Sequence, residues 1–340
     1  MAHPFLVKDI AFQAGLSTAT VDRVLNGRRG VRQQTVMRVN AAIRELERQQ
    51  AGLEVQGRKF AVDVVMEAPE RFTEAVRKAF ESEAATFMPT VFRSRFHFAE
   101  TMRPQDISQL LDRIRLRGTD GVVLKAPDVP EIAGAVARLE EAGVAVVTLV
   151  TDLPHSSRTA YAGADNRAAG ETAAYLIGER FADRPATVLV TISSSRFRGE
   201  EEREIGFRRV LREKYPHIGV IEISEGHGRN EETGALALKA IGSHPEINAV
   251  YSIGGGNPAV LDAFRQLQRG CLLFVAHDLD EDNLDLLRQG LVQFVLHHDL
   301  KTDVRMAFHA VMERRGALRA SEKRHLSAVE VITPYNLPRV

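Results

Sequence analysis

Six side chains stand where chemistry could be done. Asp165, Arg203, Asn257, Asp278 and His298 lie at the ends of short apolar runs or open the helices that follow them, and Phe72 follows the first run. Ligands of open α/β sheets bind beyond the carboxyl ends of the strands, so polar residues at those ends converge on one crevice. A carboxylate accepts from hydroxyl groups, a carboxamide both accepts and donates, a guanidinium grips neighbouring oxygens with its fork, and a phenyl ring lies against an apolar face. The set suits a small polyhydroxylated ligand. It pairs no nucleophile with a base, shows no metal-ligand spacing and calls for no cofactor, which disfavours an enzyme.

Each of these residues also has a structural reading. Asp165 fits as the cap of the helix after it, Asp278 as the cap of a helix over Asp282 to Arg288, and Arg203, within RGEEERE, as part of a solvated face. His297 reads as an exposed neighbour of His298. The Gly254–Gly256 stretch lacks the Lys-Ser/Thr of a P-loop and the spacing of a dinucleotide fingerprint, so it reads as a turn that lets a ligand reach the backbone. Lys125, ending GVVLKA, would meet an anionic ligand or pair with Glu67 across adjacent strands, and the salt bridge is the preferred reading.

The elements that must position these groups follow from periodicity. Nine runs of β-branched or aromatic residues, FAVDVVME, FRSRFHF, GVVLKA, VAVVTLV, TVLVTIS, GVIEIS, AVYSIGG, LLFVAHD and VQFVLHH, alternate with amphipathic helices such as Thr73 to Phe87, Glu171 to Arg180 and Glu201 to Glu213. That alternation is the mark of doubly wound parallel sheets. Thr302 to Arg314 adds a helix, and Ser327 to Thr333 is strand-like.

The first 46 residues are different. Ile10, Ala11 and Ala14 lie on one face of a helix that ends at Gly15, Ser17 is placed to cap a second helix carrying Val21, Val24 and Leu25, and a third helix runs from about Gln33 to Leu46. Two short helices joined by a tight turn and braced by a third make a helix-turn-helix, whose second helix enters the DNA major groove. Thr18, Ala19 and Arg23 are expected to read bases, with Ser17, Thr20 and Asn26 at phosphates or shaping the turn. Residues 47–59 read as a polar linker.

Composition agrees. The 340-residue chain suits two or three lobes and carries 45 basic and 45 acidic residues, yet Met1 to Phe60 holds ten Lys/Arg against five Asp/Glu. Cys271, the one cysteine, reads as a small buried residue in a reducing compartment. No signal peptide or membrane-spanning run is evident, so a cytoplasmic location is expected.

The order D-I-A-x-x-A-G-L-S-x-x-T-V-x-R-V-L-N-G, followed by G-V-R-x-x-T, resembles the lactose-repressor (LacI/GalR) family of bacterial transcription regulators. The resemblance extends over nearly the whole chain. It implies an α/β architecture with an N-terminal three-helix head and two periplasmic-binding-protein-like lobes, one near 60–163 plus 294–324 and the other near 164–293 plus 325–340. It further implies a homodimer on pseudo-palindromic operator DNA, most simply a repressor, controlled by a sugar or sugar derivative bound at Phe72, Asp165, Arg203, Asn257, Asp278 and His298. The chain departs from the family in three places. It lacks the Pro-Asn pair of the hinge, where Leu53 would be the minor-groove wedge. Gly256-Asn257 replaces the commoner Asn-Asp, and His298 stands where Gln is usual. A transport protein's sugar-binding component shares the fold and is the alternative reading, ahead of a sugar-converting enzyme.

Overall fold

The structure, a computed structural model, describes residues 5–28, 31–55, 57–182, 184–319 and 326–337, and over 47–55 the backbone alone. Two compact units result, Met1–Arg58 with Gly316–Arg319, and Lys59–Arg315 with Ala320–Val340.

In the first unit α1 spans Val7–Ala14, α2 Thr18–Leu25 and α3 Gln33–Val55. Gly15 takes φ +60° and ends α1, its N–H donating back to the carbonyl of Phe12, while the Ser17 hydroxyl accepts from the backbone N–H of Thr20 at 3.2 Å and starts α2. Ile10, Ala11, Ala14, Val21, Val39 and Ala42 form the buried centre of the three helices. Arg38 reaches from α3 to the carbonyl of Ala14 at 2.8 Å, satisfying the end of α1. The third helix is longer than expected: 47–55, read as linker from its polarity, continues α3. Its residues are mostly good helix formers, with Gly52 and the terminal Val55 the exceptions, and no proline interrupts them.

The second unit holds two sheets. β1 (Lys59–Glu67), β2 (Val91–Ala99), β3 (Gly121–Lys125), β4 (Ala145–Leu149) and β5 (Ala160–Ala162) form an all-parallel sheet in the order β2-β1-β3-β4-β5. β6 (Ala186–Thr191), β7 (Ile218–Ile223), β8 (Ile247–Ser252), β9 (Leu273–His277), β10 (Phe294–His297) and β11 (Glu330–Ile332) form the other, ordered β11-β10-β9-β8-β6-β7, with β11 antiparallel. All nine apolar runs are strands, and the central ones are buried on both faces, as helices on either side require.

The lobe boundary differs from the expected one. β10 pairs with β9 and so belongs to the second sheet, and the chain crosses only after it, at His298. The helix α12 (Leu300–Arg314) packs on the first lobe, where Phe308 stacks on Phe92 at 3.9 Å and meets Phe80 edge-on. Two further crossings run from β5 into α7 (Asn166–Phe181) and from α12 back to β11. Just ahead of β11 the N–H of Ser327 donates to the carbonyl of Gly163, at the end of β5, at 3.0 Å.

One close approach places a functional side chain. α7 and α8 (Arg198–Lys214) touch backbone to backbone, and a methyl group on Gly170 would overlap the carbonyl of Arg203. The contact fixes the part of α8 from which Arg203 projects. Gly170→Ala is therefore expected to lower stability by about 1–3 kcal/mol, measured by urea unfolding.

Candidate functional site

Between the lobes lies a cavity of about 70 Å³, counted to the centres of water molecules. The first lobe lines it with Arg71 and Phe72 from α4 (Glu70–Thr86), Lys125 from the end of β3, and Val150 and Thr151 after β4. The second lobe supplies Ser193, Phe197, Glu200, Arg203, Gly254, Gly255, His277, Asp278 and Asp280. These are the carboxyl ends of the strands and the helix starts beyond them, as open α/β sheets dictate.

The structure brings together three of the six residues expected there. Phe72, Arg203 and Asp278 line the cavity. Arg203 is 5% exposed and donates through Nε to Asn166 Oδ1 at 2.8 Å, which fixes the guanidinium in the cavity lining. Asp278 has φ +63°, a left-handed backbone that non-glycine residues seldom adopt and that polar residues at functional sites do. Burial works to raise its pKa, but His298 and Arg203 outweigh burial and hold the carboxyl well below the usual range. The helix that Asp278 could have capped, α11 (Glu281–Arg288), is capped instead by Asp280, which accepts from the N–H of Asn283 at 2.8 Å, so Asp278 is free of that duty.

The other three stand elsewhere. Asp165 is exposed and caps α7, accepting from the N–H of Ala168 at 3.0 Å, outside the cavity. Asn257 is buried and donates to Asn283 at 2.6 Å, behind Gly255, while its own Oδ1 has no partner. His298 is buried behind Asp278, with Nδ1 2.6 Å from Asp303 of α12 and Nε2 3.5 Å from Asp278. His297 is half-buried, its Nδ1 accepting from the N–H of Leu279 at 3.3 Å.

Lys125 does not make the expected salt bridge. Its ammonium donates to the backbone carbonyl of Glu67 at 2.8 Å and sits 3.8 Å over the ring of Phe197, because the Glu67 carboxylate is already held by Arg196 at 2.7 Å. Burial lowers the Lys125 pKa and raises that of Glu67.

Sequence reasoning missed the residues that close the lobes on each other. Arg71 reaches from the first lobe to the second, donating to Asp280 and to the carbonyl of Gly228, both at 2.8 Å. Its guanidinium lies over Gly255, which has φ +87° and where any side chain would overlap it. The Gly-Gly-Gly stretch thus makes room for an arginine of the opposite lobe. Arg71 adjoins Phe72 at a strand-to-helix junction, so the strand-end rule was enough to find it. Glu200, bonded to the N–H of Ser193 at 2.7 Å, was hidden within the charged run of α8.

In the head, Ser17, Thr18, Ala19, Arg23 and Asn26 are exposed and Thr20 is half-buried. The hydroxyls of Ser17 and Thr20 are 2.8 Å apart, and Asn26 donates to the Asp22 carboxylate at 2.8 Å, which shapes the turn after α2. Arg23 has no ion pair among the described residues. Leu53 lies near the end of α3, where side chains are outside the described residues. Cys271 is half-buried, and burial pushes its thiol up to about 12. Among the described residues no helix is long and apolar enough to cross a membrane.

A two-lobed binding domain joined to a helix-turn-helix is a ligand-responsive regulator of DNA. Residues 62–315 match the family model described as a periplasmic binding protein domain, and residues 6–48 match that of bacterial regulatory proteins, lacI family. The chain belongs to the lacI family of bacterial transcription regulators, with a periplasmic-binding-protein domain behind its DNA-binding head. Solved structures of similar fold include GanP, a glucose-galactose binding protein from Geobacillus stearothermophilus, at 20% identity over 83% of this chain and 99% of that one, TM-score 0.73. A solute-binding protein of an ABC transporter from Burkholderia graminis, in complex with D-arabinose, is 20% identical over 82% and 97%, TM-score 0.73. A protein from Bacteroides fragilis assigned as a LacI transcriptional regulator is 17% identical over 82% and 98%, TM-score 0.70. No curated protein matches the chain.

Arg71→Ala removes two bonds across the cleft and leaves Asp280 buried without its ion-pair partner. The expected outcome is a shift toward open lobes, read as an increased radius of gyration in small-angle X-ray scattering.

Proposed function

We propose that this regulator is controlled by a neutral monosaccharide or similar polyol bound between the lobes. The observation that carries the reading is the charge balance of the cleft: Arg71, Lys125 and Arg203 stand against Glu200, Asp278 and Asp280. An anionic ligand would leave an uncompensated charge in a site shielded from water, at a cost of several kcal/mol. A neutral ligand leaves the balance intact, while Asp278 accepts from its hydroxyls and Arg203 donates to its oxygens. Phe72 and Phe197 supply apolar walls. The sugar-binding proteins of the same fold support this reading of the ligand class.

The effector acts by binding one lobe arrangement better than another, and the change in operator affinity equals that difference. A homodimer reads a pseudo-palindromic operator, with relief of repression as the response. α2 supplies the reading surface. Thr18, Ala19 and Arg23 face bases, while Ser17, Thr20 and Asn26 contact phosphates or hold the turn; Leu53 remains a candidate minor-groove contact. Asp165, Asn257 and His298 serve the site indirectly, from the helix cap and the layer behind the cleft.

Thermal-shift screening of the full chain against neutral aldoses, polyols, sugar acids and sugar phosphates tests the effector class. A neutral sugar is expected to raise the melting temperature, and Arg203→Ala to abolish the rise. A rise with sugar acids or phosphates alone would sink the neutral-ligand reading. For the head, Arg23→Ala is expected to reduce discrimination between an operator and its single-base variants by about 1–3 kcal/mol, measured by fluorescence anisotropy at fixed salt.

A further inference from the structure

The crossing from β10 to α12 carries a feature that neither ligand contact nor DNA reading by itself explains. His298 is 4% exposed and lies between two carboxylates that belong to different bodies. Asp278 ends a strand of the second lobe and faces the cleft. Asp303, fully buried, sits in the first turn of α12, which packs on the first lobe. Nδ1 of the ring is 2.6 Å from Asp303 Oδ2, and Nε2 is 3.5 Å from Asp278 Oδ1, at ion-pair range but with no completed hydrogen bond. The backbone joining the two bodies here is just His298 and Asp299.

We propose that His298 is a charged strut at this hinge, an imidazolium that ties the cleft carboxylate of Asp278 to Asp303 on the far side of the crossing. It thereby links the direction in which Asp278 points to the angle between the lobes. His298 is a positioning residue, not a ligand contact. Only the protonated ring donates from both nitrogens at once; a neutral ring presents one bare nitrogen to a carboxylate. The other charged or titratable groups facing this cluster include His277 at the end of β9, His297 on β10, Arg203 on α8, Tyr161 on β5, Lys125 at the end of β3 and Asp280 before α11. Burial lowers the pKa of both His277 and His297, which favours their neutral forms near neutral pH, and burial keeps the Tyr161 hydroxyl protonated. Arg203 faces Asp278 from the cavity side. Burial opposes charging His298 too, but the two carboxylates outweigh it and raise its pKa to about 9.

The strut is fully formed below the ordinary histidine pKa of about 6.5 and is lost as pH rises through about 9. Cleft geometry therefore changes as pH rises through about 9, for a reason unrelated to the effector's own chemistry.

The test uses the 340-residue chain without ligand, so it stands whether or not the effector is a sugar. Histidine Cε1 NMR, with the His298 signal identified by its loss in His298→Gln, is expected to show a midpoint near 9. Asp303→Asn should lower that midpoint by about 1–3 units, and this shift also identifies the signal if His298→Gln fails to fold. In parallel, a Cys271→Ser chain carrying spectroscopic labels at Arg113 on the first lobe and Glu231 on the second reports the distance between lobes. That distance should change with the same midpoint, and lose its pH dependence in Asp303→Asn over the same range. A midpoint at or below 6.5 overturns the charged strut, and a distance that ignores the titration overturns its coupling to the hinge.

Discussion

Charge held out of water is the constraint on which this binding unit depends. An ionised group loses several kcal/mol of hydration when buried unless an opposite charge or well-placed dipoles replace the water. The cleft meets that demand repeatedly and with partners from both lobes. Arg71 crosses to Asp280, Arg196 crosses to Glu67, and Lys125 settles between a carbonyl and an aromatic face. Each compensation spans the gap that a ligand would enter, so the same contacts that make the cleft tolerable also favour bringing the lobes together.

The scaffold explains why these groups arrive with so little slack. Parallel strands buried on both faces leave their carboxyl ends as the main polar positions of the sheet, and the helices that follow begin within a few residues. Arg203 is fixed twice, by its bond to Asn166 and by the glycine contact that locks α8 against α7. The bond to Asn166 matters for another reason: Asn166 also donates to the carbonyl of Val150 at 3.0 Å, in the first lobe. One asparagine therefore connects a cleft arginine of one lobe to the backbone of the other, beside a crossing.

Most of the architecture was legible in the sequence because it rests on local periodicity. β-Branched runs and their spacing marked the strands, and Gly15 and Ser17 marked the turn between α1 and α2. Errors arose where tertiary contacts decide. β10 looks like any buried strand, and only its pairing with β9 assigns it to the second sheet. Residues 47–55 are polar enough for a linker, yet polarity on every side does not forbid a helix that continues an existing one. Within the site, the strand-end rule found Arg203 and Asp278 but could not separate residues facing the cleft from those one layer behind it, such as Asn257 and His298. Asp165 was an evenly matched case, and its carboxylate serves the helix.

The left-handed backbone at Asp278 limits how this binding site can evolve. Bulky and β-branched residues are strained in that conformation, whereas Asn and Asp tolerate it and Gly adopts it freely. Mutational drift at the position is thereby channelled into few outcomes: the charge is kept, exchanged for an amide, or erased with the side chain. A lineage acquiring a new effector would meet little resistance at Phe72 or Phe197, where size and shape vary over ordinary helical or extended backbone, and much at Asp278. Changes of ligand preference should therefore accumulate on the walls of the cleft around a nearly invariant carboxylate.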